Sequence, residues 1–351
     1  MTRGGQPGAG DGLTPPRPRW APPPVPDADR VQALMRALRL PEPICSVLAV
    51  RGYSDVVAAK RFLRPRLQHL HDPESLVDAP RAADRLADAV RAGETVFVHG
   101  DYDVDGICAT ALLTRVLRRL GGTVVPFVPH RLRDGYDFSR AGLEAARAAG
   151  AGLIVTVDCG TVAHDTVAAA GAAGIDVIVT DHHTVGATLP GALAVVNPKR
   201  PDCAYPDEEL CGAGLAWKLA SLVTDRLHGD ASAVEAELEL VALATVADLV
   251  PLRGENRVLV QYGLRRLATP SPGLAALMAA AEVEPAEVGT GTLGFQIGPR
   301  INAAGRIGDG TDALRLLLSE DPSEAGPLAE RLDHLNRERR DEYARTLDAA
   351  L

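Results

Sequence analysis

Chemistry-bearing side chains gather at four places in this chain, each at the end of a short apolar run. The first is His99-Gly100-Asp101-Tyr102-Asp103-Val104-Asp105-Gly106, three carboxylates and an imidazole in one short stretch. Alternate residues of an extended segment face the same way, so His99, Asp101, Asp103 and Asp105 can converge. Carboxylates this close do not all ionise cheaply without a counter-charge, and a divalent cation is the natural one. The competing account is a solvated acidic loop with one Asp capping a helix. Apolar flanks, and a His99 that a simple cap would not need, favour the cation. The second place is Asp158 after L-I-V-T-V, either a ligand or a turn cap. The third is Asp181-His182-His183 after V-I-V-T. Paired imidazoles suit Mn²⁺, Zn²⁺ or Fe²⁺ better than Mg²⁺, although an Asp cap beside two surface histidines would read the same. The fourth is Asp248 in T-V-A-D-L-V-P-L, where an unpaired charge is costly, so it ligates a metal or pairs with an arginine.

Together the four describe one mixed carboxylate and imidazole site with ligands enough for two ions. Two ions roughly 3.5–4 Å apart clamp the attacking and leaving oxygens of a phosphoryl displacement. No Walker loop, G-x-S-x-G turn or Cys/His nucleophile pair competes with it. Phosphate contacts are on offer from His130, Arg131 and Arg133, from the run Arg300 to Arg306, and from Arg115, Arg118 and Arg119.

Strands and helices must bring these places together. The β-rich runs Thr95 to His99, Thr123 to Val128, Leu153 to Val157, Asp176 to Thr180 and Ala192 to Val196 read as strands. Between them lie helical patterns at Ala109 to Leu120, Leu143 to Ala149 and Ala163 to Ala173. Such alternation means βαβ units and a mostly parallel sheet, which binds ligands at the carboxyl ends of its strands. Three of the strands end on Asp or His. From Gly212 the pattern turns helical: Leu215 to Leu227, Ala233 to Ala247 and Gln261 to Leu267. The expected fold class is therefore α/β, a parallel sheet with a helical C-terminal subdomain.

The flanks differ in texture. Residues 1–26 are rich in Pro and Gly and read as a disordered tail, with Trp20 the one side chain there large enough to dock. Residues 27–92 form a helical segment, 93–320 the α/β domain, and 321–351 a strongly charged connecting helix with a narrow stripe of Leu328, Leu332 and Leu335. The net charge of −9 counts mildly against a nucleic-acid binder, although a carboxylate-rich site contributes negative charge that metals offset. Five cysteines without a C-x-x-C pair argue against a disulfide framework and a structural zinc site. No run is apolar and long enough to span a bilayer and no signal peptide opens the chain, so a cytoplasmic place is the default.

These residues resemble the DHH phosphoesterase superfamily. D-Y-D-V-D-G, V-D-C-G, T-D-H-H and A-D-L-V-P-L fall in its motif order. H-G-D-Y-D-V-D-G, D-G-Y, C-G-A-G-L-A-W-K-L and R-I-N-A-A-G-R resemble its RecJ branch from about Trp20 onward. The resemblance implies metal ligands at His99, Asp103, Asp105, Asp158, His182 and Asp248, with Asp158 bridging. It gives Asp101 a place at the centre, Asp181 the orienting of a neighbouring His, and His183 a position facing the scissile phosphate. Arg300, Asn302 and Arg306 would contact the DNA backbone. The implied reaction is 5′ to 3′ hydrolysis of single-stranded DNA to 5′-mononucleotides with two Mn²⁺, Mg²⁺ able to substitute, in repair and recombination. Implied partners are single-stranded DNA, a single-strand-binding protein or a RecQ-type helicase, and no membrane. Two features depart from the branch. Its D-G-Y-G carries Asp137 in place of the last Gly here. Its chains also continue past the connecting helix into a Gly-Gly-His domain and an OB-fold, whereas this sequence stops at Leu351, which implies a catalytic domain with the second domain absent. Two rivals are a DHH enzyme of small phosphates (oligonucleotide, cyclic dinucleotide or pyrophosphate) and a non-catalytic DHH scaffold.

Overall fold

The computed structural model describes Ala21 and residues 24–350. Most of the Pro/Gly-rich tail, Trp20 included, lies outside the described residues. The chain forms two compact units, one ending at Leu63 and one beginning at Arg64. That boundary precedes the change of sequence texture near Ala92.

The first unit is three short helices, α1 (Ala28–Leu38), α2 (Glu42–Val50) and α3 (Val56–Leu63). Asp27 caps α1 by accepting the amides of Asp29 and Arg30 at 2.9 and 3.1 Å. Val31, Leu34, Cys45, Leu48 and Ala59 make its small core.

The second unit opens with two 3-10 turns (Leu67–His69 and Pro73–Ser75), then α4 (Ala79–Ala92), β1 (Thr95–Gly100), α5 (Val104–Arg119), β2 (Thr123–Phe127), α6 (Arg140–Ala148), β3 (Leu153–Val157), α7 (His164–Ala172), β4 (Asp176–Thr180) and β5 (Ala194–Val196). The sheet is parallel throughout, in the order β2-β1-β3-β4-β5. Both faces are covered, as parallel strands require. Val96 and Val98 of β1 enter the large core with α4 and α5, while Phe97 joins a second layer with Phe138 and Leu143. The direction of winding reverses at β1, so a crevice opens at the carboxyl ends of β1 and β3.

Register decides what that crevice holds. Gly100 pairs with Val157, Val157 with Thr180, and Thr180 with Val196, so four strands end level. The residues that follow, Asp101, Asp158, Asp181 and Asn197, therefore stand in one row along the carboxyl edge.

The remainder is helical: α8 (Gly212–Arg226), α9 (Ala231–Ala236), α10 (Leu238–Ala247), α11 (Gly254–Arg266), α12 (Pro272–Ala280), α13 (Thr290–Thr292), a π turn at Leu293–Ile297, α14 (Gly298–Ile307), α15 (Gly310–Leu318) and α16 (Pro322–Ala350). The expected helix from Ala233 to Ala247 is two helices, parted at Glu237. The side chain of Glu237 turns inward to meet Arg119 at 2.6 Å and Arg115 at 3.3 Å. Helix α14 contains the whole R-I-N-A-A-G-R stretch and packs on α15 and α16. Among the described residues no helix is long and apolar enough to cross a membrane.

Candidate metal centre

The row at the carboxyl edge is completed by two helix ends. Asp103 caps α5, its Oδ1 accepting the Gly106 amide at 3.0 Å, and Asp105 lies in the first turn of that helix. Asp248 caps the far end of α10. The amino end of α8 closes the floor. Its Gly212 and Ala213 amides donate to Asp105 Oδ2 and Oδ1 at 2.6 and 2.7 Å, fixing both carboxylate oxygens with the positive end of a helix dipole. This is the physical content of the C-G-A-G run: a Cβ on Gly212 would run into the Asp158 side chain. At R-I-N-A-A-G-R the need is similar, since a Cβ on Gly305 would strike the Tyr102 carbonyl.

Three sets of side chains offer ligand atoms within 4.8 Å of one another: Asp101, Asp103 and Asp158; Asp105, His182 and Asp248; and Asp158, His182 and His183. Asp158 belongs to two of them. His182 Nε2 stands 3.0 Å from Asp158 Oδ1, 3.5 Å from Asp105 Oδ2 and 3.7 Å from Asp248 Oδ2. Even the shortest of these lacks hydrogen-bond geometry, for both nitrogens of His182 and Oδ1 of Asp158 are buried without a hydrogen-bond partner. Asp101 Oδ1 is orphaned in the same way. Buried polar atoms are almost always paired, so orphaned ligand atoms crowded together, His182 Nε2 and Asp158 Oδ1 among them, are what a cation site requires. The donor set of carboxylate oxygens with one or two imidazoles fits Mn²⁺, and Mg²⁺ less well where the imidazole binds.

Electrostatics agree. Burial pushes Asp101 up to about 7, helped by Asp103. Burial also pushes Asp248 up to about 7, helped by Asp105 and Asp103. Asp158 is raised well above the carboxylate range by burial and then by Asp105, Asp103, Asp181 and Asp101. Asp105 is raised by burial against the pull of His182, and burial lowers His182. Without a cation this cluster would rather hold protons than charge.

Asp181 behaves differently. Burial pushes it upward, but His183 and backbone donors outweigh that and hold it at about 2. It accepts the amides of Thr161, His182 and His183 at 3.0, 2.8 and 3.1 Å. Its Oδ1 also meets His183 Nδ1 at 2.8 Å, and this bond raises His183 to about 9. The carboxylate thus orients His183, whose ring lines a cavity of about 220 Å³ with Asp101, Tyr102, Asp103, Arg131, Tyr136, Asn302 and Arg306.

Two expected site residues lie elsewhere. His99 is fully buried, but it stands among Phe127, Phe138 and Cys159, with ring centroids 5.2 and 5.3 Å away and Cys159 Sγ 3.7 Å from Nδ1. Strand alternation is the cause: inside β1 His99 follows Phe97 onto the α6 side, and the chain turns only after Gly100. Burial lowers it to about 4, and although its Nε2 is also buried without a hydrogen-bond partner, it joins none of the three ligand sets, in which Asp101 stands instead. Arg300 also faces away. Its guanidinium meets Asp333 of α16 at 2.8 and 2.9 Å and Gln296 O at 2.7 Å. Asn302 and Arg306 are one helical turn apart and share the cavity, while Arg300 lies across the helix from them. Of the other arginines considered, Arg131 reaches the cavity. Arg133 pairs with Asp134, Arg115 and Arg119 with Glu237, and Arg118 donates to Val124 O.

Some participants gave no signal in sequence. Asn197 Nδ2 ties Thr161 Oγ1 and His183 O at 3.1 and 3.0 Å. Only the level ending of β4 and β5 reveals it. Tyr102 and Tyr136 meet edge to face at 6.1 Å, and the Arg131 guanidinium lies 5.3 Å over the Tyr102 ring.

A family model described as "DHH family, N-terminal domain" matches residues 95–245. The single-stranded-DNA-specific exonuclease RecJ of Bacillus subtilis is 37% identical over 327 residues, covering 93% of this chain and 41% of that protein. The crystal structure of RecJ in complex with Mn²⁺ from Thermus thermophilus superposes with a TM-score of 0.80 at 35% identity, over 93% of this chain and 46% of that one. A second crystal structure, of exonuclease RecJ bound to manganese, does so with a TM-score of 0.73 at 39% identity, over 81% of this chain and 71% of that one. The chain thus spans under half the length of the Bacillus and Thermus proteins. With a matching DHH model, and identity at this level across most of the manganese-bound structure, the chain belongs to the RecJ family of DHH-domain proteins.

Proposed function

We propose that this chain is the metal-dependent catalytic domain of a single-strand-specific exonuclease, which removes 5′-mononucleotides from DNA in the 5′ to 3′ direction. The observation that carries the proposal is the chain of overlapping ligand sets, Asp101, Asp103 and Asp158, then Asp158, His182 and His183, then Asp105, His182 and Asp248, joined through Asp158 and His182 beside a basic, aromatic cavity. Two Mn²⁺ are the proposed cofactors, with Mg²⁺ as a substitute. The Mn²⁺ and Mg²⁺ of the Thermus RecJ structures support this. When bound, the ions would supply Lewis-acid activation of the phosphoryl group and of the attacking water.

The remaining work falls to the chain's own residues. Asp181 keeps His183 charged and aimed into the cavity, where it can donate to a phosphate oxygen. Arg306 and Arg131 add positive charge there, and Asn302 a further polar contact. Tyr102 and Tyr136 present rings against which a base can stack. The floor excludes bulk water, since Asp105 and Asp158 are almost fully buried. A cytoplasmic place, and a single-strand-binding protein or RecQ-type helicase as partner, belong to the same proposal and rest on family likeness.

The test is one set of assays on the 351-residue chain with Mn²⁺: a single strand labelled at either end, a dinucleotide, and pyrophosphate. Early release of labelled mononucleotide from the 5′ end, and not from the 3′ end, is expected. Hydrolysis of pyrophosphate or dinucleotide with the long strand untouched would move the assignment to small phosphates. No hydrolysis of any substrate, with metal bound, would leave a scaffold.

A further inference from the structure

Asp137 lies outside all three ligand sets, yet it is tied to the turn that carries Asp158, a member of two of them. It has φ +67, a left-handed conformation that costs any residue with a Cβ. It is half-buried, and Asp181 and Asp101 are close enough to repel its charge. Each of these features opposes a carboxylate at this position. Against them stand the Phe138 amide, the nearby charge of His183 and one bond to a separate segment: Asp137 Oδ1 accepts the Gly160 amide at 2.6 Å.

That bond closes an unusual turn. After β3 the chain passes through Asp158 at φ +62 and Gly160 at φ +107. Thr156 braces the turn on one side, its hydroxyl donating to Cys159 O at 2.8 Å. Asp137 holds the other side from a separate segment. A non-glycine residue kept in a sparsely populated conformation is a reason to look for function at that point. Here two such residues meet at one turn, since the amide that Asp137 holds belongs to Gly160, two residues after Asp158.

We infer that Asp137 is a positioning residue, whose bond to Gly160 holds the β3 turn in the shape that presents Asp158 to the two ligand sets it belongs to. The inference rests on the metal-centre reading above. It predicts that the bond matters more to the metal than to the fold.

The experiment compares the parent with Asp137→Gly and Asp137→Asn by Mn²⁺ titration, exchange of the Gly160 amide proton, and metal-free melting. Asn keeps an acceptor oxygen and tolerates the left-handed region, whereas Gly relieves the strain and loses the tether. Asp137→Gly should speed Gly160 exchange and weaken Mn²⁺ binding by about 10- to 100-fold, the usual cost of losing a partner behind a ligand. Its melting temperature should not fall. Asp137→Asn should stay within a few fold of the parent in both exchange and affinity. Unchanged Mn²⁺ affinity in Asp137→Gly would overturn the inference, as would a loss of affinity in Asp137→Asn equal to that in Asp137→Gly. Parent binding is measured first, so a parent that takes up no Mn²⁺ identifies failure of the metal-centre reading itself, and the positioning role falls with it.

Discussion

Two of the buried polar clusters in the second unit are built on opposite principles. In one, Lys218 and Glu255 pair at 2.6 Å, each about 1% exposed. Lys218 also donates to His71 O at 2.7 Å, the His71 amide to Glu255 Oε1 at 2.7 Å, and Tyr205 to Glu255 Oε2 at 2.6 Å. No buried side-chain nitrogen or oxygen of Lys218, Glu255 or Tyr205 is left without a partner. In the other, at the carboxyl edge of the sheet, carboxylates crowd one another and Asp101, Asp158 and His182 leave atoms unpaired. A satisfied buried network fixes a fold, whereas an unsatisfied one is held in place by the rest of the fold and awaits a ligand. The first cluster should therefore respond to mutation through stability alone, and the second through metal.

Asp158→Asn should produce the largest effect. It keeps the shape and tolerates the left-handed turn, but it removes the shared charge. Turnover should fall by at least about 10³-fold, the scale of removing a major electrostatic contributor to a transition state. Metal-free melting temperature at pH 8 should rise at the same time, because a buried carboxylate among like charges is gone. A variant that melts lower than its parent without metal would contradict the second half.

Lys218→Met is the counterpart in the satisfied cluster. It leaves Glu255 buried without its cation, which costs about 3–5 kcal/mol. Denaturant unfolding should give the same loss with and without Mn²⁺. A loss that depends strongly on Mn²⁺ would mean the two clusters are not separate.

Much of this contrast was legible in the sequence, and particular residues show where legibility stops. The strands Leu153–Val157 and Asp176–Thr180 coincide with their β-branched runs, so Asp158, Asp181 and His182 were placed correctly on the sheet's edge. Asp101, Asp103 and Asp105 also converge, but through a strand end followed by a helix cap and not through one extended segment. His99 shows the difference: one residue inside the strand's end, alternation still governs it, and it faces the hydrophobic layer. Arg300 failed for a related reason, since side-chain direction within R-I-N-A-A-G-R depends on that stretch being helical, which its small residues did not announce. Asn197 and the amides at the start of α8 were invisible, because register and helix packing bring them to the site from afar.

A smaller effect separates the clusters by pH. Asp101 sits at about 7 in the folded chain against an ordinary value of 3.8. A raised carboxylate binds more protons folded than unfolded, so its contribution is full below the unfolded value and is lost as pH climbs through 7. His99 and His182, lowered by burial, act in the opposite direction, so the difference between parent and Asp101→Asn isolates the group. Without metal, the variant's melting temperature should match the parent's near pH 4 and exceed it increasingly up to pH 7–8. With saturating Mn²⁺ the order should reverse, since the ion needs the deprotonated ligand. Equal pH profiles in the two proteins would remove Asp101 from the centre.

The smallest effects divide two arginines of one helix. Arg306→Ala should weaken single-strand binding by about 1.5–3 kcal/mol and leave metal content intact. Arg300→Ala should bind the strand as the parent does and lose about 1 kcal/mol of stability with its bonds to Asp333 and Gln296. Binding curves at one salt concentration decide this, and weaker binding by the Arg300 variant would return that residue to the substrate path.

The central claim is that the unsatisfied cluster is a two-ion centre. Calorimetric titration of the metal-free chain with Mn²⁺ at pH 7, repeated in two buffers of different ionisation enthalpy, tests it most directly. Two sites per chain are predicted, with proton release on binding because Asp101 and Asp248 sit at about 7, and loss of both sites in Asp158→Asn. A single site without proton release, or two sites that survive in Asp158→Asn, would contradict the account.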